Sequence, residues 1–188
     1  MTGIYVILVF QNHEHGLRNH SLHTLETENG PIPISKFLKF LDGKAGQGKT
    51  FLINAICHTI HAAKRIVLPC GTTALAALFS RADLICESIL IIWNKLPMVN
   101  KAILESMDLL LRQICGKDKP FGGKLFIGAG DFRQVAPVVK GAGKSATINT
   151  SIKTSYMWTY FDKHILNQPI RNATNSDFAE FVDAIRNN

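Results

Sequence analysis

The chain has 188 residues, 46% of them hydrophobic, with a mean hydropathy of +0.10. That is one ordinary domain with enough apolar content for a core, which excludes a disordered chain. A net charge of +7 and a pI of 9.4 suit a polyanionic partner, nucleic acid or nucleotide, and serve solubility equally well.

No apolar run reaches membrane-spanning length. Cys57, Cys70, Cys86 and Cys115 contain no C-x-x-C pair, so neither a zinc site nor a disulfide frame is suggested, and reduced thiols inside a cell fit best. Residues 4–10 are apolar but short. No Lys or Arg precedes them, and Asn12-His13-Glu14-His15 follows instead of a small-residue cleavage site, which makes a poor secretion signal. Residues 11–36 are polar, with His13, His15, His20 and His23, an Asn29-Gly30 turn pair and two prolines. They read as a solvated loop in preference to a metal site. Residues 1–36 therefore form a poorly defined leader, and residues 37–188 the folded domain.

Residues 38–42 (LKFLD) read as a strand. Gly43-Lys44-Ala45-Gly46-Gln47-Gly48-Lys49-Thr50 follows, matching the phosphate-loop pattern G-x-x-x-x-G-K-[ST]. Gly43, Gly46 and Gly48 free the backbone so that successive N–H groups point into one concavity. Lys49 brings a point charge for β/γ-phosphates, and Thr50 a hydroxyl for Mg²⁺. Residues 50–63 carry Phe51, Leu52, Ala55, Ile56, Thr59, Ile60 and Ala63, a helical stripe whose positive end faces the same anion.

Residues 65–70 (RIVLPC) read as a second strand, 71–73 as a turn and 74–79 as a short helix. The apolar run 89–93 (ILIIW) marks a buried parallel strand, with Trp93 in the core. Residues 101–114 form an amphipathic helix with Ile103, Met107, Leu110, Leu111 and Ile114 inward. Residues 124–128 (KLFIG) are another strand, 148–161 a mixed helical stretch and 164–166 a last strand. A final helix starts at Ser176. Alternating strands and helices imply an α/β fold, a mostly parallel sheet with helices on both faces. Ligands of such sheets sit beyond the carboxyl ends of the strands. The phosphate loop, Asn94-Lys95, the 131–134 cluster and Arg171 all fall on that edge.

LDGKAGQGKTFL, GTTALAALF, LIIWNKLPM, PFGGKLFIGAGDFRQVAPVV and LNQPIR together resemble the Pif-type DNA helicases of superfamily 1B, including those carried by Helitron transposons. The likeness runs from about Phe40 to Arg186. It implies a RecA-like fold, ATP hydrolysis with Mg²⁺, and 5′-to-3′ unwinding of single-stranded or forked DNA in repair, recombination and telomere maintenance. By that resemblance Gly43, Gly46, Gln47, Gly48, Lys49 and Thr50 bind nucleotide. Thr50 also holds the metal, Gln134 senses the γ-phosphate, and Asp131 steadies its loop. Arg171 meets charge developing in the transition state, and Thr72 and Thr73 hydrogen-bond the DNA backbone. A nuclear or alternatively mitochondrial monomer, off the membrane, is expected.

Three departures qualify the resemblance. The family's Asp-Glu after LIIW is Asn94-Lys95 here, so the carboxylate that holds a magnesium water and the one that deprotonates the attacking water are both replaced. Losing a general base costs roughly 10²- to 10⁴-fold, so nucleotide binding without appreciable hydrolysis is expected. The stretch 80–84 is a direct splice where the family carries a further element near the DNA path. Only the first of two RecA-like domains is expected within the chain, as in a truncated copy. Two alternatives differ in class: a non-catalytic nucleotide- or DNA-binding module, and a small P-loop kinase. The GDFRQ loop and the lack of an arginine-rich lid count against the kinase.

Overall fold

The computed structural model describes residues 6–7, 23–24, 37–71, 81–133 and 144–167. Within the leader, β1 (Val6–Ile7) pairs antiparallel with β2 (His23–Thr24). The domain runs β3 (Leu38–Gly43), α1 (Lys49–Ala62), β4 (Val67–Gly71), α2 (Ala82–Glu87), β5 (Leu90–Asn94), α3 (Lys101–Cys115), β6 (Leu125–Gly130), α4 (Lys144–Asn149) and β7 (Asp162–Leu166). Strands β3 to β7 form one sheet in the order β4-β5-β6-β3-β7, every pair parallel. Pro69 lies in β4, an edge strand, where a missing N–H can face away from the ladder.

Alternation along each strand divides the core between two faces. Leu41, Leu90, Ile92, Ile127 and Ala129 pack under α1 through Ile53, Ile56 and Ile60. Leu38, Phe40, Ile91, Trp93 and Phe126 pack under α3 through Leu104, Met107 and Leu111. Burying each such side chain is worth about 1.5–3 kcal/mol relative to exposure. The expected α/β layering is thus observed, with Trp93 fully buried.

The helical faces differ from expectation in their details. Ile53, not Phe51, points inward on α1, and Phe51 is exposed. On α3 the inward set contains Leu104 and Asp108, while Ile103 is exposed. Asp108 is fully buried because it is satisfied: its carboxylate accepts the Phe121 N–H at 2.6 Å and pairs with Arg112 at 2.8 Å. An apolar count cannot anticipate an acid on the core stripe. Residues 148–161 are not one helix. The Ser151 and Ser155 hydroxyls accept the N–H groups of Lys153 and Met157, and each restarts the chain as a short 3₁₀ turn, Ile152–Thr154 and then Tyr156–Tyr160. Residues 82–87 form α2, anchored by buried Ile85. The helices expected at 74–79 and from Ser176 lie outside the described residues.

Candidate functional site: the carboxyl edge of the sheet

Because the five strands are parallel, their carboxyl ends share one edge. Gly43 stands opposite Leu166, Asp42 opposite Gly130, Asn94 opposite Ala129, and Gly71 opposite Asn94. The phosphate loop, Asn94-Lys95 and Asp131 therefore leave neighbouring strands at nearly one level. Gln134, Arg171, Thr72 and Thr73 lie outside the described residues.

In the loop, Gly46 and Gly48 take φ of 91° and 79°, conformations that cost a side-chain-bearing residue. Gly43 plays another part. It closes β3, and a Cβ there would sit 3.2 Å from Leu166 Cβ and 3.4 Å from Gln47 Oε1, so it permits close approach rather than a turn. Gln47 spans the loop: its Oε1 accepts the Lys44 N–H, and its Nε2 donates to the Asn167 carbonyl at 3.5 Å. Lys49 Nζ curls back to donate to the Gly43 carbonyl and, at 3.0 Å, to the Lys44 carbonyl. Helix α1 begins with Gly48 as N-cap, without a side-chain cap and without an acid in its first turn. Its leading amides and positive dipole end are thus suited to an anion. Thr50 stands exposed in that first turn.

Asn94 ends β5 half-buried, and its Oδ1 accepts the Lys95 N–H at 2.9 Å. Lys95 is exposed and left-handed, φ 61°, so the chain swings at once into the 3₁₀ turn Leu96–Met98. That turn beds directly on β6. A Cβ added at Gly128 would collide with Leu96 Cδ2, and one at Gly130 with Pro97 Cδ. The two glycines of the strand LFIGAG therefore set where Asn94-Lys95 lies against the next strand. Reading KLFIG as a strand did not disclose this, because the partner of each glycine is distant in sequence.

Asp131 follows β6, only 3% exposed. Its Oδ1 accepts the Arg133 N–H at 3.0 Å and Arg133 Nε at 2.9 Å, which closes the turn leading to Gln134. Burial pushes this carboxyl up. The hydrogen bonds from Arg133, then the charges of Arg133 and Lys49, outweigh burial and hold it below its ordinary value. Asp42 stands opposite Gly130, so the phosphate loop and the 131–133 turn leave adjacent strands at one level. Phe132, within the turn, packs on Phe40 and Trp158 and carries Lys153 Nζ 4.0 Å above its ring. Arg133 belongs to the polar 131–134 cluster that the sequence placed on this edge; Lys153, reaching the Phe132 ring from the Ile152–Thr154 turn, is brought there only by the fold.

The donor set fits a polyphosphate: left-handed glycines, an uncapped helix start and one ammonium converge on it. It fits a divalent cation less fully. Thr50 offers a hydroxyl and Asn94 an amide oxygen already engaged by an N–H, with no carboxylate at that position. Among the described residues, no group of three His, Cys, Asp or Glu side chains could hold a metal ion by itself.

A five-stranded parallel sheet flanked by helices, with a phosphate loop between β3 and α1, defines a RecA-like nucleotide-loop domain. The family follows from comparison with known proteins. The model of the PIF1-like helicases matches residues 79–187, and the chain belongs to that family. It is 27% identical over 174 residues to the ATP-dependent DNA helicase PIF1 of Trypanosoma brucei brucei, covering 82% of this chain and 18% of that protein. To the human ATP-dependent DNA helicase PIF1 it is 27% identical over 132 residues, covering 55% and 20%. The chain thus spans about a fifth of the length of these curated relatives. The fold is similar to that of the Bacteroides Pif1 helicase solved with ADP-AlF3 and single-stranded DNA. There the TM-score is 0.68 at 23% identity, over 80% of this chain and 42% of that one.

Proposed function

We propose that the chain serves ATP-dependent DNA helicase chemistry of the Pif type by binding Mg²⁺-ATP at the β3–α1 loop while hydrolysing it poorly. One observation carries this. Along a single sheet edge the loop is complete, whereas β5, two strands away, ends in Asn94-Lys95 instead of acids.

The roles divide by residue. The amides of residues 46–50 and the Lys49 ammonium take the β- and γ-phosphates, Lys49 exchanging its loop carbonyls for phosphate oxygens. The Thr50 hydroxyl and Asn94 Oδ1 are the groups that would hold Mg²⁺, which would neutralise charge developing on the phosphates. Asn94 contributes a dipole where a charge is wanted. Lys95 brings no carboxylate to the attacking water, so the base expected there is missing. Gln134 and Arg171 complete the γ-phosphate side, and Thr72 and Thr73 the DNA side, with single-stranded or forked DNA as the partner. Unwinding in repair, recombination or telomere maintenance, in nucleus or mitochondrion, and action as a monomer follow from the family by analogy.

Titration of a fluorescent ATP analogue, run beside radiolabelled ATP turnover, tests the reading. Binding with little turnover is expected, and turnover at an ordinary helicase rate overturns it. A second reading, a non-catalytic module for nucleotide or single-stranded DNA, is favoured by the same Asn94-Lys95 pair together with the +7 charge. It predicts salt-dependent DNA binding that ATP does not alter. The kinase alternative is disfavoured, since the family match extends over residues 79–187, beyond the phosphate loop that both classes share.

A further inference from the structure

Away from the sheet edge, the ends of α2 and α3 bring two thiols together. Cys86 stands one residue before the end of α2, exposed, and its Sγ donates to the Ile114 carbonyl at 3.4 Å. Cys115 is the last residue of α3, partly exposed, and directly follows Ile114, whose carbonyl the Cys86 thiol meets. The Cys115 side chain packs on Gly122, where an added Cβ would come within 2.9 Å of Cys115 Cβ and 3.0 Å of its Sγ. Lys124 spans the same junction. Its Nζ donates to the Cys86 carbonyl and, at 2.7 Å, to the Ser88 carbonyl. The other two thiols differ: Cys57 is on α1, and Cys70 is buried in β4.

We propose that Cys86 and Cys115 form a reversible dithiol–disulfide site whose co-substrate is a low-molecular-weight disulfide such as oxidised glutathione. Cys86, the exposed member, attacks one sulfur of that disulfide and releases one thiol, leaving a mixed disulfide on Cys86. Cys115 then attacks the Cys86 sulfur and releases the second thiol. The two cysteines give up two electrons and two protons, and the oxidant becomes two thiols. The charges of Lys124 and Lys117 favour the Cys115 thiolate. Burial opposes them and holds the Cys115 thiol above its ordinary value, which suits a resolving rather than an attacking thiol. Oxidation would staple α2, which follows the segment bearing Thr72 and Thr73, to the long helix under the sheet.

The full chain, equilibrated in glutathione buffers of graded ratio, alkylated and digested with trypsin, tests this directly. Cleavage after Arg81, Lys95, Arg112 and Lys117 separates the two cysteines into peptides 82–95 and 113–117. The expected product is those peptides joined, two hydrogens lighter than their sum, and separated again by reductant. In Cys115→Ser, the expected product is a glutathione adduct that persists on Cys86. Full alkylation of both thiols at every ratio overturns the proposal. So does a stable Cys86–glutathione adduct in the unsubstituted chain, or joining of either peptide to those containing Cys57 or Cys70.

Discussion

The β3–α1 loop and the end of β5 face the same sheet edge, yet only the loop retains a full set of groups for its chemistry. The loop relies on backbone amides held by glycine conformations and one lysine, which few substitutions can imitate and few can erase piecemeal. In the proposed reading, the β5 end would need two carboxylate side chains, which Asn94 and Lys95 do not supply, while Asn94 keeps its place in the β5 ladder. On the proposed reading, binding and bond cleavage are separable here: phosphate affinity rests on backbone shape, and hydrolysis on two side chains.

The largest expected effect comes from restoring the missing half. Asn94→Asp with Lys95→Glu should raise ATP turnover by roughly 10²- to 10⁴-fold if a base is what is lacking. Radiolabelled phosphate release measures it, and an unchanged rate breaks the contrast between the two regions. Next is Gly130→Ala. Its methyl group would enter Pro97, lifting the Leu96–Met98 turn, and overpacking of this kind costs about 1–3 kcal/mol. A lowered urea midpoint would show it, and an unshifted midpoint would mean the turn does not press on β6.

Lys49→Met sharpens the loop side. Removing a charged donor to phosphate should cost about 1.5–3 kcal/mol of nucleotide affinity, or more than tenfold, read by fluorescent titration. Since Lys49 also donates to the loop's own carbonyls, part of the loss would reflect a rearranged free loop. For Asp131 the sign follows from its depressed folded-state value. It contributes stability above the ordinary carboxylate range near ~3.9 and loses it as pH falls through the lower folded value. Asp131→Asn should therefore be less stable than the parent at pH 7, and the gap should narrow in strong acid, as measured by urea midpoints across pH. Smallest is Asp162→Asn on edge strand β7. Its pairing with Lys39 is partly exposed, so a loss below about 1 kcal/mol is expected.

Strands β3 and β5, helix α1 and the phosphate loop were legible from residue order, because each depends on local periodicity or on glycines at fixed spacing. The absence of acids at positions 94 and 95 was legible for the same reason. The inward face of α3 was not, since buried Asp108 is made tolerable by the Phe121 N–H and by Arg112, the former thirteen residues away. Nor was the break of 148–161 into two 3₁₀ turns by serine hydroxyls.

Residue order by itself determined which chemistry the sheet edge can hold, because phosphate recognition is built from contiguous backbone. Only the tertiary structure decided how its parts are spaced. Asn94 and the 131–133 turn are set against each other by Leu96 and Pro97 resting on Gly128 and Gly130. Close packing between distant segments depends on the shapes of both surfaces, and those exist only once the chain has folded.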